Sequence, residues 1–153
     1  MKYEKVALDS FSVVGIAVRT TNKDNKAEQD IAGLWQEFLE NNIADAIPFK
    51  VSDDVYCIYT DYESDFMGAY TTIIGCMVSN TNDTNDEFVY KDIVGGEYYK
   101  FVPEEDGAEA VLQTWMHIWQ SDYDRKYTAD FDVYQRDADN PPNIKVTTFL
   151  SVK

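Results

Sequence analysis

The order strand, amphipathic helix, strand, strand occurs twice in this chain, and a repeat of that kind constrains the architecture before any single motif does. In the first copy, residues 11–78, FSVVGIAVR alternates as a strand, IAGLWQEFLENN carries apolar residues at helical spacing, and VYCIYTDY and AYTTIIGCMV return to strand composition. In the second, residues 95–152, EYYKFV, AEAVLQTWMHIWQ, DFDVY and IKVTTFLSV follow in the same order. Two βαββ halves side by side predict an α+β fold: one antiparallel sheet with both helices on one face and a groove between them. Residues 1–153 have the length of one ordinary domain, so two fused halves are expected rather than two independent units. The interval 79–94, which opens on the turn-forming run SNTNDTNDE, is the expected linker.

Both helical stretches show a buried stripe. Ile31, Leu34, Trp35, Phe38 and Leu39 follow the i, i+3, i+4, i+7, i+8 spacing, and Ala108, Val111, Leu112, Trp115, Ile118 and Trp119 repeat it, tryptophan included. Glu104, Glu105 and Asp106 suit a helix N-terminus, with Asp106 as the expected cap. ESDFMG is expected to turn between the strands of the first hairpin, and QRDADNPPN, with Pro141 and Pro142, to loop between the last two.

Charge and composition exclude several classes. With 13 basic against 28 acidic residues the formal charge is -15, a surface that repels phosphate backbones, so direct nucleic-acid binding is not expected. The opening MKYEKVALDS lacks the apolar core of a signal peptide and no apolar run approaches the roughly 20 residues that span a bilayer, which predicts a cytoplasmic protein without a membrane partner. Cys57 and Cys76 lie inside apolar strand patterns and read as buried, reduced small hydrophobes. His117 with two cysteines on other elements makes no metal set, and no cofactor motif or catalytic signature such as GxSxG, HExxH or GxxxxGK[ST] occurs.

The pentapeptide DFDVY places Asp130, Asp132 and Tyr134 on one face of a strand and Phe131 and Val133 on the other. Alternation leaves two readings open. Either the polar face meets bulk solvent, or it meets the inter-helix groove, where Asp132 becomes a buried carboxylate among aromatic rings and favours a cationic guest. The supply of rings is ample, with 8 Phe, 3 Trp and 11 Tyr, among them Tyr56, Tyr59, Tyr62 and Tyr70 on the first hairpin. Aromatic faces hold flat organic molecules and cations, and they also fill half-exposed sheets.

The run IAGLWQEFL, YCIYTDYESDFMGAYTTIIGCMV, GGEYYKFVPEEDG, VLQTWMHIWQ and DFDVYQ resembles the GyrI-like, or AraC-type effector-binding, domains, and in particular their stand-alone, integron-associated branch. The resemblance spans nearly the whole chain and rests on the order of the pieces. It implies a pseudo-twofold duplication and a groove that binds lipophilic, often cationic, small molecules, as multidrug sensors of transcription regulation do. It implies that Asp132 stands where the family usually carries a glutamate at the base of the pocket. Aspartate reaches about 1.5 Å less far, roughly one C–C bond. Tyr134 carries over from the same motif, Trp35, Trp115 and Trp119 as groove-lining aromatics, and Tyr59 and Tyr70 join them from the first hairpin. With no helix-turn-helix segment in the sequence, a regulatory output requires a protein partner. The expected function is a small-molecule-binding module that acts as a stand-alone sensor or sequestering protein. A hydrolase of strained electrophilic xenobiotics, with Glu37 or Glu97 as the second acid that activates water, is the alternative, and a protein-interaction module is a third.

Overall fold

The computed structural model describes residues 2–64, 68–81, 87–103, 108–136 and 144–153. Its strands are β1 (Glu4–Leu8), β2 (Phe11–Thr21), β3 (Val55–Thr60), β4 (Ala69–Val78), β5 (Val89–Ile93), β6 (Gly96–Phe101), β7 (Ala129–Arg136) and β8 (Ile144–Ser151). Its helices are α1 (Lys26–Glu40), the four-residue α2 (Ile43–Ala46) and α3 (Ala108–Trp119). All eight strands form one sheet in the order β1-β6-β8-β7-β3-β4-β2-β5, with every pairing antiparallel. This is the duplicated α+β architecture that the repeat predicts.

Exchanging the halves maps that order onto itself. Strands β2, β3 and β4 of the first half correspond to β6, β7 and β8 of the second, and β3 meets β7 at the centre. Each half also owns a leading strand that the repeat pattern does not reveal. β1 precedes β2 but pairs with β6, while β5 precedes β6 but pairs with β2, so the halves trade their leading strands. The expected linker 79–94 therefore contains a strand, Val89–Ile93. Its alternation VYKDI is short and carries two charged residues, as edge strands do, so it does not stand out in the sequence.

The trade forces the sheet to curl. Only Asp9 and Ser10 separate β1 from β2, and only Val94 and Gly95 separate β5 from β6, yet each pair lies six places apart in the sheet. Such a link spans about 11 Å at most, whereas six strand spacings in a flat sheet cover about 29 Å. The two edges must approach each other, and the links touch: the Gly95 amide donates to Ser10 Oγ at 2.8 Å. The β2 and β4 backbones leave no room for a side chain where Gly15 faces Gly75, since a Cβ at either position would lie 2.0 or 2.1 Å from a backbone carbonyl of the facing strand. Inside the curl sits a core of Val13, Tyr56, Ile58, Ile73, Ile93, Tyr98, Phe131 and Val133.

Both long helices cover the other face, α1 against β2 and β4 and α3 against β8. Leu34 and Phe38 of α1 join Val14, Ile16, Cys57, Ile74 and Cys76, while Trp115 and Ile118 of α3 join Phe101, Leu150 and Val152. The stripes are narrower than their spacing suggests. Leu39, Leu112 and Trp119 are 65, 53 and 42% exposed, because the sheet takes only the central rows of each helix. Thr114 is buried instead, its hydroxyl satisfied by the Ala110 carbonyl one turn back. The cap expected of Asp106, with Glu104 and Glu105, and the loop expected at Pro141 and Pro142 lie outside the described residues. Both cysteines are free and buried, as their apolar context requires. Among the described residues no helix is long and apolar enough to cross a membrane.

Candidate functional site

The β3–β7 register settles which way DFDVY faces. Cys57 lies opposite Asp132, Tyr59 opposite Asp130 and Val55 opposite Tyr134, all on the helix side, while Phe131 and Val133 point into the curl. Solvent does not meet the polar face: Asp130 and Asp132 are both 0% exposed.

Two buried carboxylates, two residues apart, have opposite environments. Asp130 takes the Arg125 guanidinium on Oδ2 at 2.9 Å and the Tyr62 hydroxyl at 2.6 Å, while its Oδ1 receives the Ser151 amide at 2.7 Å and hydroxyl at 2.9 Å. Arg125 in turn lies over the Tyr127 ring, 4.3 Å from its centroid. That acid is neutralised by a charge and saturated by hydrogen bonds.

Asp132 has donors but no cation among the described residues. Thr148 donates its hydroxyl to Oδ1 at 2.5 Å, the Trp115 indole N–H straddles Oδ1 and Oδ2 at 3.2 and 3.1 Å, and Tyr59 donates to Oδ2 at 3.2 Å. The Cys57 thiol donates to Tyr59 Oη at 3.4 Å, which extends the chain of polar hydrogens one step further. Burial pushes the Asp132 carboxyl up to about 6, against the opposing pull of Thr148, Trp115 and Tyr59, and the nearby Asp130 charge pushes in the same direction as burial. Burial also raises the Tyr59 hydroxyl and the Cys57 thiol well beyond their ordinary values, so both stay protonated donors at neutral pH.

Aromatic rings stand on this side of the sheet in two matched pairs, one of which, Tyr59 with Trp115, touches the acid. Tyr59 stands two residues after Cys57, and Tyr134 two residues after Asp132; exchange of the halves relates them through the Cys57–Asp132 pair. Trp115 meets Tyr59 edge-on with centroids 5.3 Å apart, and Trp35 meets Tyr134 edge-on at 4.8 Å. The buried Tyr70 packs edge-on against Tyr59 at 6.1 Å and donates its hydroxyl to Asn22 Oδ1, while the exposed Trp119 tilts against Trp115 at 6.4 Å. The structure thus gathers all seven residues anticipated from the sequence, Asp132, Tyr134, Trp35, Trp115, Trp119, Tyr59 and Tyr70, on the helix side of one sheet.

Thr148, Asp130 with Arg125, and Thr72 escape sequence reasoning. Thr148 sits within IKVTTFLSV with no local mark, and only the β7–β8 register sets it opposite Asp132. Thr72 lies opposite Tyr59 on β4, fully buried, and its hydroxyl has no partner among the described residues. Arg125 is the one basic residue in the described chain that is nearly fully buried, which its place in the polar run SDYDRKY does not signal. The two acids proposed as partners for catalysis stand apart: Glu37 is exposed on α1 and Glu97 is an exposed member of an ion pair with Lys5 at 3.2 Å.

A curled, internally duplicated antiparallel sheet with two helices on one face is the GyrI-like fold. The chain belongs to the integron-associated effector-binding protein family, which matches residues 6–152. It is similar to the integron cassette protein VCH_CASS2 of Vibrio cholerae, whose crystal structure is 28% identical with a TM-score of 0.75 and covers 99% of this chain and 95% of that one. Over 151 residues it is 25% identical to YobU of Bacillus subtilis (strain 168), a protein named as a candidate transcriptional regulator, covering 95% of this chain and 94% of the relative. A structure of SAV2435 bound to tetraphenylphosphonium shares the fold at 24% identity and a TM-score of 0.77, covering 100% of this chain and 94% of that one.

Proposed function

We propose that this protein binds lipophilic organic cations in the groove between α1 and α3, and that it acts as a stand-alone sensor or sequestering module with Asp132 as the counter-ion. One observation carries the reading: a fully buried carboxylate, ringed by aromatic side chains, has no cation among the described residues, while its neighbour Asp130 has one. An ionised group in such surroundings is costly, and a guest that brings delocalised positive charge on an apolar body relieves that cost as it buries its rings. Hydrogen bonds from Thr148, Trp115 and Tyr59 hold the carboxylate in place without neutralising it. Aspartate keeps the charge below the floor of the groove, so the guest is recognised through aromatic contact and field rather than by a direct ion pair. The hydrolytic reading needs a second acid near Asp132, and among the described residues Asp130 is occupied by Arg125 while Glu37 and Glu97 are exposed elsewhere.

Calorimetric titration with tetraphenylphosphonium and with neutral triphenylphosphine oxide tests the proposal. The cation is expected to bind more tightly, and Asp132→Asn to weaken it by about 1 to 3 kcal/mol while leaving the neutral compound unchanged. Equal affinities for the two compounds in wild type would refute the electrostatic part. Ligand at about 100 times its dissociation constant should add roughly 2.7 kcal/mol to stability, readable as a higher Tm.

A further inference from the structure

The face of the sheet opposite the helices carries a cavity of about 440 Å3, beside the β1–β2 link. That is within the roughly 300–1,000 Å3 of sites for small organic molecules. It is separated from Asp132 by the thickness of the sheet, because the residues that line it from β7, Phe131 and Val133, alternate with Asp132. Its wall is a built aromatic slot: Phe131 stacks on Phe149 at 4.9 Å and 23°, and Phe11 meets Phe131 edge-on at 5.3 Å and 75°.

Its charge is the reverse of the groove's. Lys100 is the one basic residue in the lining; it stands in register with Phe149 on β8 and with the exposed Glu4 on β1, is half-buried, and makes no ion pair among the described residues. Asp9, the acid in the lining, is exposed on the β1–β2 link and meets water. A cation in this slot would face Lys100 with nothing buried to offset it. A doubly charged anion would have a single ammonium to hold it against a net charge of -15. A monoanion on an apolar, ring-bearing body satisfies both the lysine and the phenylalanines. We propose that this cavity is a second ligand site, specific for lipophilic carboxylates of the aryl-alkyl type, with the rings against the half-buried Phe11 and Phe149 and the carboxylate on Lys100 Nζ.

Fluorescence anisotropy of 4-(1-pyrenyl)butyrate, with the neutral 4-(1-pyrenyl)butanol beside it, tests this assignment. Saturable binding of the acid is expected in wild type. Lys100→Met, which keeps an apolar stem, should weaken the acid at least about fivefold and shift the alcohol by less than about twofold, the difference being the charge-assisted contact. Phe149→Ala should weaken both. Thermal melts establish that each variant is folded, and Lys100→Gln replaces Lys100→Met should that variant fail. Saturating tetraphenylphosphonium, or Asp132→Asn, should leave the acid's affinity unchanged, which separates this site from the groove whether or not the groove binds cations. The assignment is overturned by absence of saturation up to about 1 mM, by acid binding indifferent to Lys100, or by displacement of the acid by the phosphonium.

Discussion

Replacing Asp132 by asparagine should make this protein more stable at neutral pH and not at pH 4. In the folded state the Asp132 carboxyl is raised from 3.8 to about 6. A raised carboxyl means that the folded chain holds its proton more firmly than the unfolded chain does. Ionisation is then a cost to folding that is absent below about pH 4, grows between 4 and 6, and is fully present above 6. At about 1.4 kcal/mol per unit the cost is about 3 kcal/mol. Asparagine has nearly the same shape and no charge. Its oxygen can accept from Trp115 and Thr148 while its amide donates to the rotatable Tyr59 hydroxyl, at a cost of about 1 kcal/mol for poorer geometry. The variant should therefore gain about 2 kcal/mol at pH 7 to 8 and lose about 1 kcal/mol at pH 4. Guanidinium unfolding of both proteins at several pH values between 4 and 8 measures the difference, in which the titration of the remaining 27 of 28 acidic residues largely cancels. A difference that does not change with pH would refute the argument, because it would mean that Asp132 is not a desolvated charge.

The same titration controls the groove: affinity for tetraphenylphosphonium should be flat above pH 6 and fall about tenfold per unit below it, as measured by calorimetry, since the proton and the cation compete for Asp132. Arg125→Met leaves Asp130 buried without its charge partner and should cost about 3 to 5 kcal/mol in denaturant unfolding. Gly15→Ala should abolish soluble expression or drop the Tm steeply, because the added methyl would lie 2.0 Å from the Ile74 carbonyl oxygen and 2.6 Å from the Gly75 Cα of the facing strand. Trp115→Phe removes the indole donor while keeping a ring against Tyr59, so it should raise the pH at which cation affinity declines, read from the same calorimetric profile.

The parts of this fold that were legible in the sequence are those written in local periodicity. The 3.6-residue stripes of α1 and α3, the alternation of β7 and the repeated strand order predict the sheet, the helices on one face and the inward turn of Trp35 and Trp115. What was not legible depends on contacts between distant segments. No local pattern says that β1 and β5 pair with the opposite half, that Thr148 is set beside Asp132 by the β8 register, or that Arg125 reaches Asp130. The exposure of Leu39 and Leu112 is of the same kind, since how far a sheet extends under a helix is fixed by strands elsewhere in the chain. Whether Asp132 meets solvent was not legible in the sequence, and it took the pairing of β7 with β3 to set it, buried, on the helix side of the sheet.

The exchange that relates the two halves passes through the Cys57–Asp132 pair, so these two residues occupy the same place in successive copies of one motif. A half-length chain that assembled with its own twin around that axis would set two identical side chains face to face, about 5 Å apart and shut away from water. Two carboxylates cannot both be ionised there, and two thiols carry no charge at neutral pH. Joining the copies in one polypeptide lifts that constraint. One position can hold the acid and the other a thiol that feeds it a hydrogen bond through Tyr59, giving a single negative charge on the axis of a cage whose aromatic walls remain symmetric.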